Sequence, residues 1–301
     1  MTPILERLPA GGRVAVIRLR SLGDCVLTTP ALQILKDARP DLHIAVAVEP
    51  RFEAVFEHHP GVDRILSPSV TAVARWRPDL VINFHGGTRS IALTAASRAP
   101  YRAGFEHYRA RWTYNVILPR AQEVLGVDRK LHTAEHLASA MFYLGAPRRE
   151  IPRASLFADP WPHRGPYAVI HPFASAPDKT WPADRFSAVA RAIRESLDPV
   201  ILGGPDDDPS AFPEFETVRN APLSRVKSLI RSASLFIGND SGPAHMAAAF
   251  GIPLVVLFGA SDPVVWAPWK PVAAEALIRP SIAEISIADV LRSVEELKVR
   301  A

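Results

Sequence analysis

The stretch Leu235-Phe-Ile-Gly-Asn-Asp-Ser-Gly-Pro-Ala-His245 passes from one kind of element to another within a few residues. Its apolar start, Leu235–Gly238, is typical of a buried strand, and Pro243–Phe250 has the composition of a helix with proline at its first position. A second apolar run, Leu254–Phe258, follows. Strand, helix and strand in this order predict a βαβ unit, in which helices cover a parallel sheet.

Short apolar runs alternate with helix-length amphipathic stretches along the rest of the chain. The other predicted strands are Arg13–Arg18, His43–Val48, Arg64–Leu66, Leu80–Phe84, Tyr101–Phe105, Tyr167–Ile170 and Pro199–Leu202. The other predicted helices are Thr29–Ala38, Phe52–His58, Ser90–Ser97, His132–Leu144, Arg185–Ser196, a helix capped by Ser224 and running to Ala233, and Ile287–Val299. Pro30 falls in the first turn of its predicted helix, where a missing N–H is tolerated.

The segment 150–166 contains four prolines and shows no hydrophobic period, as expected of a linker. Because the alternation restarts after it, we predict two doubly wound α/β domains, residues 1–155 and 156–301, and we expect the last helix to be able to pack back on the first domain. The length of 301 residues fits two domains. Such folds bind ligands at the carboxyl ends of their strands, and two of them bind ligands in the cleft between them.

Composition and charge limit the class of protein. With 48% hydrophobic and 22% charged residues, the chain is neither disordered, collagen-like nor a coiled coil. Residues 1–150 carry 20 basic and 14 acidic side chains, and the remainder carries 15 and 17. The basic excess of the first half fits an anionic partner, and it equally fits scattered arginines that only solvate the surface.

Several further classes are disfavoured. Cys25 is the lone cysteine, which excludes a disulfide framework and a cysteine-based zinc site. Charges throughout Met1–Arg20 argue against a secretory signal, and Met246–Ala260 is too short for a membrane-spanning helix. We therefore expect a cytoplasmic protein, with the inner face of the cytoplasmic membrane as a place of contact. We expect no nucleic-acid partner, because aromatic residues are not interleaved with a basic run, and no metal, because the histidines form no ligand set.

The turn Arg18-Leu-Arg-Ser-Leu-Gly-Asp-Cys25 follows the first predicted strand. It contains neither a dinucleotide-binding glycine fingerprint nor a phosphate-binding Walker loop. Asp24 lies close to a helix start, where an acidic group is electrostatically favoured. Two interpretations stay open: Asp24 caps the helix, or it is a carboxylate held at a binding site as a general base.

Two further turns follow predicted strands of the second domain. In His171–Pro182, small residues allow a ligand close to the backbone and Lys179 offers a cation to a phosphate; the alternative is an exposed loop. In Gly203-Gly-Pro-Asp-Asp-Asp208, the carboxylates suit ribose hydroxyls, or they form a solvated acidic turn. Metal binding there is disfavoured, because consecutive acidic side chains point in different directions.

The turn Gly238–His245 is the most specific of these signals. The backbone N–H groups of Ser241 and Gly242 would point out of a helix N-terminus, which is a natural site for a diphosphate. Asp240 beside them suits a sugar or ribose hydroxyl, and His245 lies in the first helical turn. A helix cap and a core histidine would explain Asp240 and His245 separately, but not the clustering of glycine, asparagine, serine and proline.

Taken together and in order, these segments resemble glycosyltransferase family 9, the ADP-heptose:lipopolysaccharide heptosyltransferases. The matching segments are Arg20-Ser-Leu-Gly-Asp-Cys-Val-Leu-Thr-Thr-Pro-Ala-Leu32, His85-Gly-Gly-Thr-Arg-Ser90, His171-Pro-Phe-Ala-Ser175, Lys179-Thr-Trp-Pro-Ala-Asp-Arg-Phe186, Leu202-Gly-Gly-Pro-Asp206, Asn239-Asp-Ser-Gly-Pro-Ala-His-Met-Ala-Ala-Ala249 and Phe258-Gly-Ala-Ser-Asp-Pro263. The resemblance implies the α/β GT-B fold: two Rossmann-like parallel-sheet domains facing across a cleft, with the acceptor in the first and the donor in the second.

The resemblance also implies a reaction and a site. The reaction is an inverting, metal-independent transfer of heptose from ADP-heptose to a lipopolysaccharide core or similar anionic glycan at the membrane surface, with no cofactor besides the donor substrate. Asp24 matches the general base, and Lys179 would stabilise the departing diphosphate. The implied donor-binding residues are Ser175, Thr180, Gly203, Gly204, Asp206, Asp207, Ala221, Leu223, Asp240, Ser241, Gly242 and His245. Position and charge select Arg18, Arg20, Ser21, His85, Arg89 and Arg111 as acceptor-binding residues.

Other functions stay open on the sequence alone. The chain could be a GT-B enzyme that uses another ADP- or UDP-sugar, either as a transferase or as an epimerase. It could also be a non-enzymatic nucleotide-sugar-binding module, although an intact Asp24 and Lys179 argue against a degenerate site.

Overall fold

A computed structural model describes residues 2–162 and 165–298 of the chain. The chain forms two compact units, Met1–Ser155 and Leu156–Ala301. Among the described residues, no helix combines the length and the apolar character needed to cross a membrane.

The described residues of the first unit form a six-stranded parallel sheet with helices between the strands. Its strands are β1 (Arg13–Ile17), β2 (His43–Ala47), β3 (Arg64–Leu66), β4 (Leu80–Asn83), β5 (Tyr101–Phe105) and β6 (Val116–Leu118). Its helices are α1 (Ile4–Arg7), α2 (Leu22–Ala38), α3 (Val70–Trp76), α4 (Thr88–Ala96), α5 (Ala121–Leu125) and α6 (Thr133–Leu144), with 3₁₀ turns at Pro50–Val55 and Arg111–Thr113. The strand order is β3-β2-β1-β4-β5-β6. The chain adds β2 and β3 on one side of β1 and then adds β4, β5 and β6 on the other side, so the order of connection switches between β1 and β4.

The second unit repeats this plan. Its strands are β7 (Tyr167–His171), β8 (Asp198–Gly203), β9 (Glu216–Arg219), β10 (Leu235–Asn239), β11 (Leu254–Phe258) and β12 (Ala274–Ile278). Its helices are α7 (Ala183–Ile193), α8 (Leu223–Arg231), α9 (Gly242–Phe250), α10 (Pro263–Trp266) and α11 (Ile287–Glu296), with 3₁₀ turns at Pro177–Lys179 and Ile282–Glu284. The order β12-β11-β10-β7-β8-β9 places this switch between β7 and β10.

The central strands form the core of each unit. Val16 of β1 lies in register with Val46 of β2 on one side and Ile82 of β4 on the other, and all three side chains are fully buried. Strands covered by helices on both faces must be apolar along their whole length. The carboxyl ends of β1 and β4, and those of β7 and β10, are the switch points at which doubly wound sheets bind ligands.

The last helix belongs to the core of its own unit. Val290 of α11 is fully buried in the cluster that contains Ile237 and Val255, and Ile287 and Leu291 are packed against that cluster. The apolar face of α11 therefore covers the second sheet. The predicted end of this helix, Val299, lies outside the described residues, as do His163 and Arg164 of the predicted linker.

Helix α2 begins at Leu22 rather than at Thr29, so the predicted start was wrong and Pro30 lies inside the helix. In an uninterrupted helix the carbonyl of Val26 would accept a hydrogen bond from the N–H of residue 30, which proline lacks. The Thr29 hydroxyl donates to this carbonyl instead, at 2.8 Å. A side chain thus replaces the missing backbone donor, and the helix continues through Pro30.

Other local differences have similarly simple causes. Helix α8 begins at Leu223, after Pro222, so Ser224 lies within the helix and is not its cap. The predicted helix Phe52–His58 is instead the 3₁₀ turn Pro50–Val55. Strands β6, β9 and β12 were not predicted; β9 and β12 are edge strands with half-exposed side chains, and they lack a continuous apolar run.

Candidate active site

Asp24 lies at the switch point of the first sheet, as the third residue of α2. Its Oδ2 accepts hydrogen bonds from the N–H of Ser21 at 3.3 Å and from the Ser21 hydroxyl at 3.1 Å. Its Oδ1 lies 3.5 Å from Nη1 of Arg18, and the Asp24 side chain remains 23% exposed. The carboxylate therefore caps the helix and still reaches solvent, so capping and acid–base chemistry are compatible.

Arg18, at the end of β1, is only 7% exposed. The sequence selects it as an acceptor contact by position and charge, whereas in the structure its guanidinium group faces Asp24. Within the described part of the chain, its Nε is buried without a hydrogen-bond partner. A buried cation therefore lies beside the Asp24 carboxylate.

His85 follows β4 and joins this group. The turn that carries it is fixed by Asn83, whose Oδ1 accepts the N–H groups of His85 at 2.9 Å and of Gly86 at 3.1 Å. Burial lowers the pKa of the His85 imidazole, and the charges of Arg18 and Arg20 lower it further, against an opposing effect of Asp24. His85 is therefore a neutral ring within electrostatic reach of Arg18 and Asp24.

The remaining predicted acceptor residues are less closely grouped. Arg89 is held by Glu49, with Nη1 3.8 Å from Oε1, and donates to the carbonyl of Pro68 at 2.9 Å. Arg20 and Arg111 are exposed, and neither makes an ion pair with another described residue. The structure thus brings Ser21, Arg18 and His85 to Asp24, while Arg111 lies on the 3₁₀ turn between β5 and β6.

An aromatic cluster after β5 was missed by the sequence reasoning. The His136 ring from α6 stacks on Phe105 with centroids 4.0 Å apart, and His107 and Tyr108 contact the same phenyl ring. Burial lowers the pKa of His136 to about 4, with smaller contributions from the charges of His107 and Arg18. No turn motif marks these residues; the only signal is the aromatic-rich stretch Phe105-Glu-His-Tyr108.

In the second unit, Lys179 and Asp240 meet at the carboxyl ends of β7 and β10. Nζ of Lys179 lies 3.8 Å from Oδ2 of Asp240, and the two side chains are 33% and 8% exposed. Asn239 joins the two loops, because its Oδ1 accepts the N–H of Trp181 at 3.1 Å and its Nδ2 donates to the carbonyl of Pro172 at 2.9 Å. Asn239 is therefore a positioning residue. It lies in the turn Gly238–His245 but is not among the predicted site residues.

The N-terminus of α9 lies directly after Asp240. The helix begins at Gly242, with Ser241 as its N-cap, and His245 is 6% exposed in its first turn. The Ser241 hydroxyl is buried and has no hydrogen-bond partner among the described residues. A buried hydroxyl without a partner at a helix N-terminus is suited to donate a hydrogen bond to an anion bound there.

Ser175 and Thr180 line an open pocket of about 470 Å³ in the same unit, together with Ala174, Ala176 and Pro177. Thr180 also donates its hydroxyl to the carbonyl of Ala176 at 2.8 Å, which fixes the loop that carries Lys179. The small side chains leave the backbone of this loop accessible to a ligand.

The acidic turn after β8 separates its two candidate carboxylates. Asp207 accepts the N–H of Gly204 at 2.7 Å and so closes the turn, whereas Asp206 is exposed and makes no hydrogen bond or ion pair with the described residues. The backbone at Gly203 lies close to Phe173: a Cβ at this position would lie 3.1 Å from its ring, so a larger residue would need the ring to shift. Ala221 and Leu223, partly buried, flank Pro222 at the start of α8.

The residues described contain no group of three histidine, cysteine or acidic side chains arranged to hold a metal ion.

Solved structures share this architecture. The glycosyl transferase family 9 structure from Veillonella parvula DSM 2008 superposes with a TM-score of 0.84 at 22% identity, covering 96% of this chain and 98% of that one. The structure of Escherichia coli heptosyltransferase WaaC with ADP gives a TM-score of 0.79 at 20% identity, covering 95% and 99%. The two Rossmann-like units therefore form the GT-B fold of glycosyltransferases, and the predicted fold class is confirmed.

The family follows from the sequence match. The model of glycosyltransferase family 9 (heptosyltransferase) matches residues 70–284. Lipopolysaccharide heptosyltransferase 3 of Escherichia coli is 27% identical over an alignment of 298 positions, and the match covers 84% of this chain and 85% of the relative. The chain belongs to glycosyltransferase family 9, as the motifs predict.

Proposed function

We propose that this protein transfers heptose from ADP-heptose to a lipopolysaccharide core or similar anionic glycan, with inversion at the anomeric carbon and with Asp24 as general base. Family membership supports the class of reaction. The names of the relatives support the acceptor, and the structure of WaaC with ADP supports the donor. The observation that best supports the role of Asp24 is the environment of its carboxylate at the switch point of the first sheet. The Ser21 hydroxyl donates a hydrogen bond to it, and the buried guanidinium group of Arg18 lies beside it.

In this mechanism the acceptor hydroxyl gives its proton to Asp24 while its oxygen forms a bond to C1 of the heptose. The bond between C1 and the phosphate oxygen breaks, and ADP leaves with the electron pair. Attack from the face opposite ADP inverts the configuration at C1. The basic excess of residues 1–150 supports an anionic acceptor, which we place at the inner face of the cytoplasmic membrane.

The second unit would bind the donor and stabilise the leaving group. Negative charge grows on the diphosphate as the bond breaks, and Lys179, the Ser241 hydroxyl and the N-terminus of α9 are the groups suited to accept it. Asp240 would orient Lys179 and bind a sugar hydroxyl, and Asp206 is the carboxylate available for the ribose. We propose that no metal is needed, because these groups supply the positive charge that a metal would bring.

Asp24→Asn tests the role of Asp24. The amide keeps the size of the side chain and an oxygen that accepts the Ser21 N–H, but it cannot take a proton from the acceptor. We expect turnover to fall about 10²- to 10⁴-fold, as for loss of a general base, while the affinity for ADP stays unchanged. ADP release with an acceptor glycan, measured in the presence of EDTA, and titration with ADP provide the two readouts.

Asp289→Asn is the matched control. Asp289 is also the third residue of a helix, α11, and accepts from the N–H and hydroxyl of Ser286 at 3.1 and 2.9 Å. This variant should lose a similar amount of helix-cap stability and retain full turnover. An Asp24→Asn enzyme that keeps a tenth or more of its turnover, or that no longer binds ADP, would contradict the role of Asp24 as base.

A further inference from the structure

Tyr108, in the loop after β5, is held against the turn that carries His85. A Cβ on Gly86 would lie 2.5 Å from Cε1 of Tyr108, so the tyrosine ring rests directly on the glycine backbone. The ring also meets Phe105 edge-on, with centroids 5.6 Å apart and an interplanar angle of 82°, and His107 at 4.7 Å and 78°. These three contacts fix the position of the Tyr108 ring.

The hydroxyl of Tyr108 is not used by the fold. None of the described residues forms a hydrogen bond with it, and the side chain is only partly buried. In contrast, the hydroxyl of neighbouring Tyr114 accepts from Nδ2 of Asn83 at 2.9 Å, and that of Tyr167 donates to the carbonyl of Leu229 at 2.6 Å. The Tyr108 hydroxyl is not among the buried polar atoms, so it stays accessible and can bind a ligand beside the turn that carries His85.

The electrostatic surroundings connect Tyr108 with the candidate base. Burial raises the pKa of Tyr108 above its ordinary value, Arg18 opposes this, and Tyr114 and Asp24 add to it. The hydroxyl therefore stays protonated at neutral pH and can donate as well as accept a hydrogen bond. It lies within electrostatic reach of the two residues at the centre of the first-unit site.

We propose that Tyr108 binds the acceptor: its hydroxyl forms a hydrogen bond with a hydroxyl of the sugar ring that presents its nucleophile to Asp24. The rigid ring sets the position of this bond, so Tyr108 contributes to acceptor affinity and to the choice of acceptor sugar. This inference rests on the proposed function, because it requires an acceptor sugar beside Asp24. It assigns no role to Tyr108 in binding the donor.

Tyr108→Phe removes the hydroxyl and preserves the ring contacts. Losing one neutral hydrogen bond should raise the KM for the acceptor about threefold to tenfold, with the KM for ADP-heptose and the affinity for ADP unchanged. Tyr167→Phe is the control: it loses the bond to the Leu229 carbonyl in the second unit, so it should lower thermal stability and leave the acceptor KM at the wild-type value.

A second measurement separates this inference from the proposed function. Titration of a deacylated lipopolysaccharide core glycan into wild-type protein and Tyr108→Phe, followed by calorimetry, reports binding without turnover. Weaker binding by the variant supports the inference, whereas equal binding, or an equal rise in the donor KM, overturns it. A wild-type enzyme that binds this glycan but never consumes ADP-heptose would instead overturn the proposed transfer.

Discussion

At the scale of single residues, His59 shows how burial sets a protonation state. It is 2% exposed, its Nδ1 accepts the N–H of Gly61 at 3.0 Å, and its Nε2 lies 3.2 Å from the hydroxyl of Ser155. Nδ1 can accept only in the neutral ring, and burial lowers the pKa of His59 from 6.5 to about 4. Because the unfolded chain binds a proton more readily, the stabilising contribution is fully present above pH 6.5 and is lost as the pH falls towards 4.

We therefore predict that His59→Gln flattens the acid side of the stability profile. Between pH 7 and 4.5 the wild-type free energy of unfolding should fall by about 2 kcal/mol on account of His59, and the variant should lack this part of the decrease. Urea denaturation at a series of pH values measures it. His43→Gln, the same substitution at an exposed position, is the control, and an unchanged slope in His59→Gln would contradict the argument.

The site residues that could be predicted from the sequence are those carried by local turns. Asp24, Lys179 and Asp240 follow their strands by seven, eight and one residues, so the motif alone places them near the carboxyl edge of a sheet. Tyr108 and His136 reach the first-unit site only through the packing of β5 against β4 and of α6 beside them. Contacts between residues so distant in sequence leave no local pattern, and the burial of Arg18 against Asp24 was equally unpredictable.

At the scale of elements, α2 shows how one side chain keeps a helix continuous. Besides donating to the carbonyl of Val26, the Thr29 hydroxyl accepts the N–H of Ser155 at 3.0 Å. Thr29→Val should thus cost about 1–3 kcal/mol, because two backbone groups lose their partner. When Pro30 is first changed to alanine, the new N–H can bond the Val26 carbonyl, and the cost of Thr29→Val should drop by about 1 kcal/mol.

A double-mutant cycle measured by chemical denaturation gives this coupling. Thr28→Val is the control within the same helix, because the Thr28 hydroxyl donates at 2.8 Å to the carbonyl of Asp24, a carbonyl that the helix ladder already satisfies. Its cost should be independent of Pro30. Additive effects of Thr29→Val and Pro30→Ala would show that the Thr29 hydroxyl does not replace the missing N–H.

Elements could be predicted where burial is uniform and not where it alternates. Strands β1 and β10 are buried along almost their whole length, so their sequences are continuous apolar runs that predict a strand. Strand β9, Glu216–Arg219, lies at the sheet edge with charged residues at both ends. Its strand conformation is imposed by pairing with β8, and four residues of such composition carry no period from which to predict it.

At the scale of the whole molecule, the predicted linker, residues 150–166, is fixed by hydrogen bonds both at Ser155 and after it. Ser155 itself contacts Thr29 and His59 of the first unit. On the other side, the Lys227 ammonium, 2% exposed, donates to the carbonyl of Phe157 at 2.8 Å, and the N–H of Trp161 donates to the Ser232 hydroxyl at 2.8 Å. Residues 156–162 are therefore a structural part of the second unit.

This division predicts where the chain can be cut. A fragment of residues 156–301 retains the second sheet, its core and the Lys227–Phe157 contact, so it should unfold cooperatively and bind ADP within a fewfold of the intact protein's affinity. A fragment of residues 165–301 removes the Phe157 carbonyl from a buried ammonium group and should be less stable by about 1–3 kcal/mol. Chemical denaturation and ADP titration of both fragments measure the two effects. Equal stability of the two fragments would show that residues 156–162 contribute nothing to the second unit, and a folded 156–301 fragment without ADP affinity would mean that the donor-binding groups of this unit do not suffice alone.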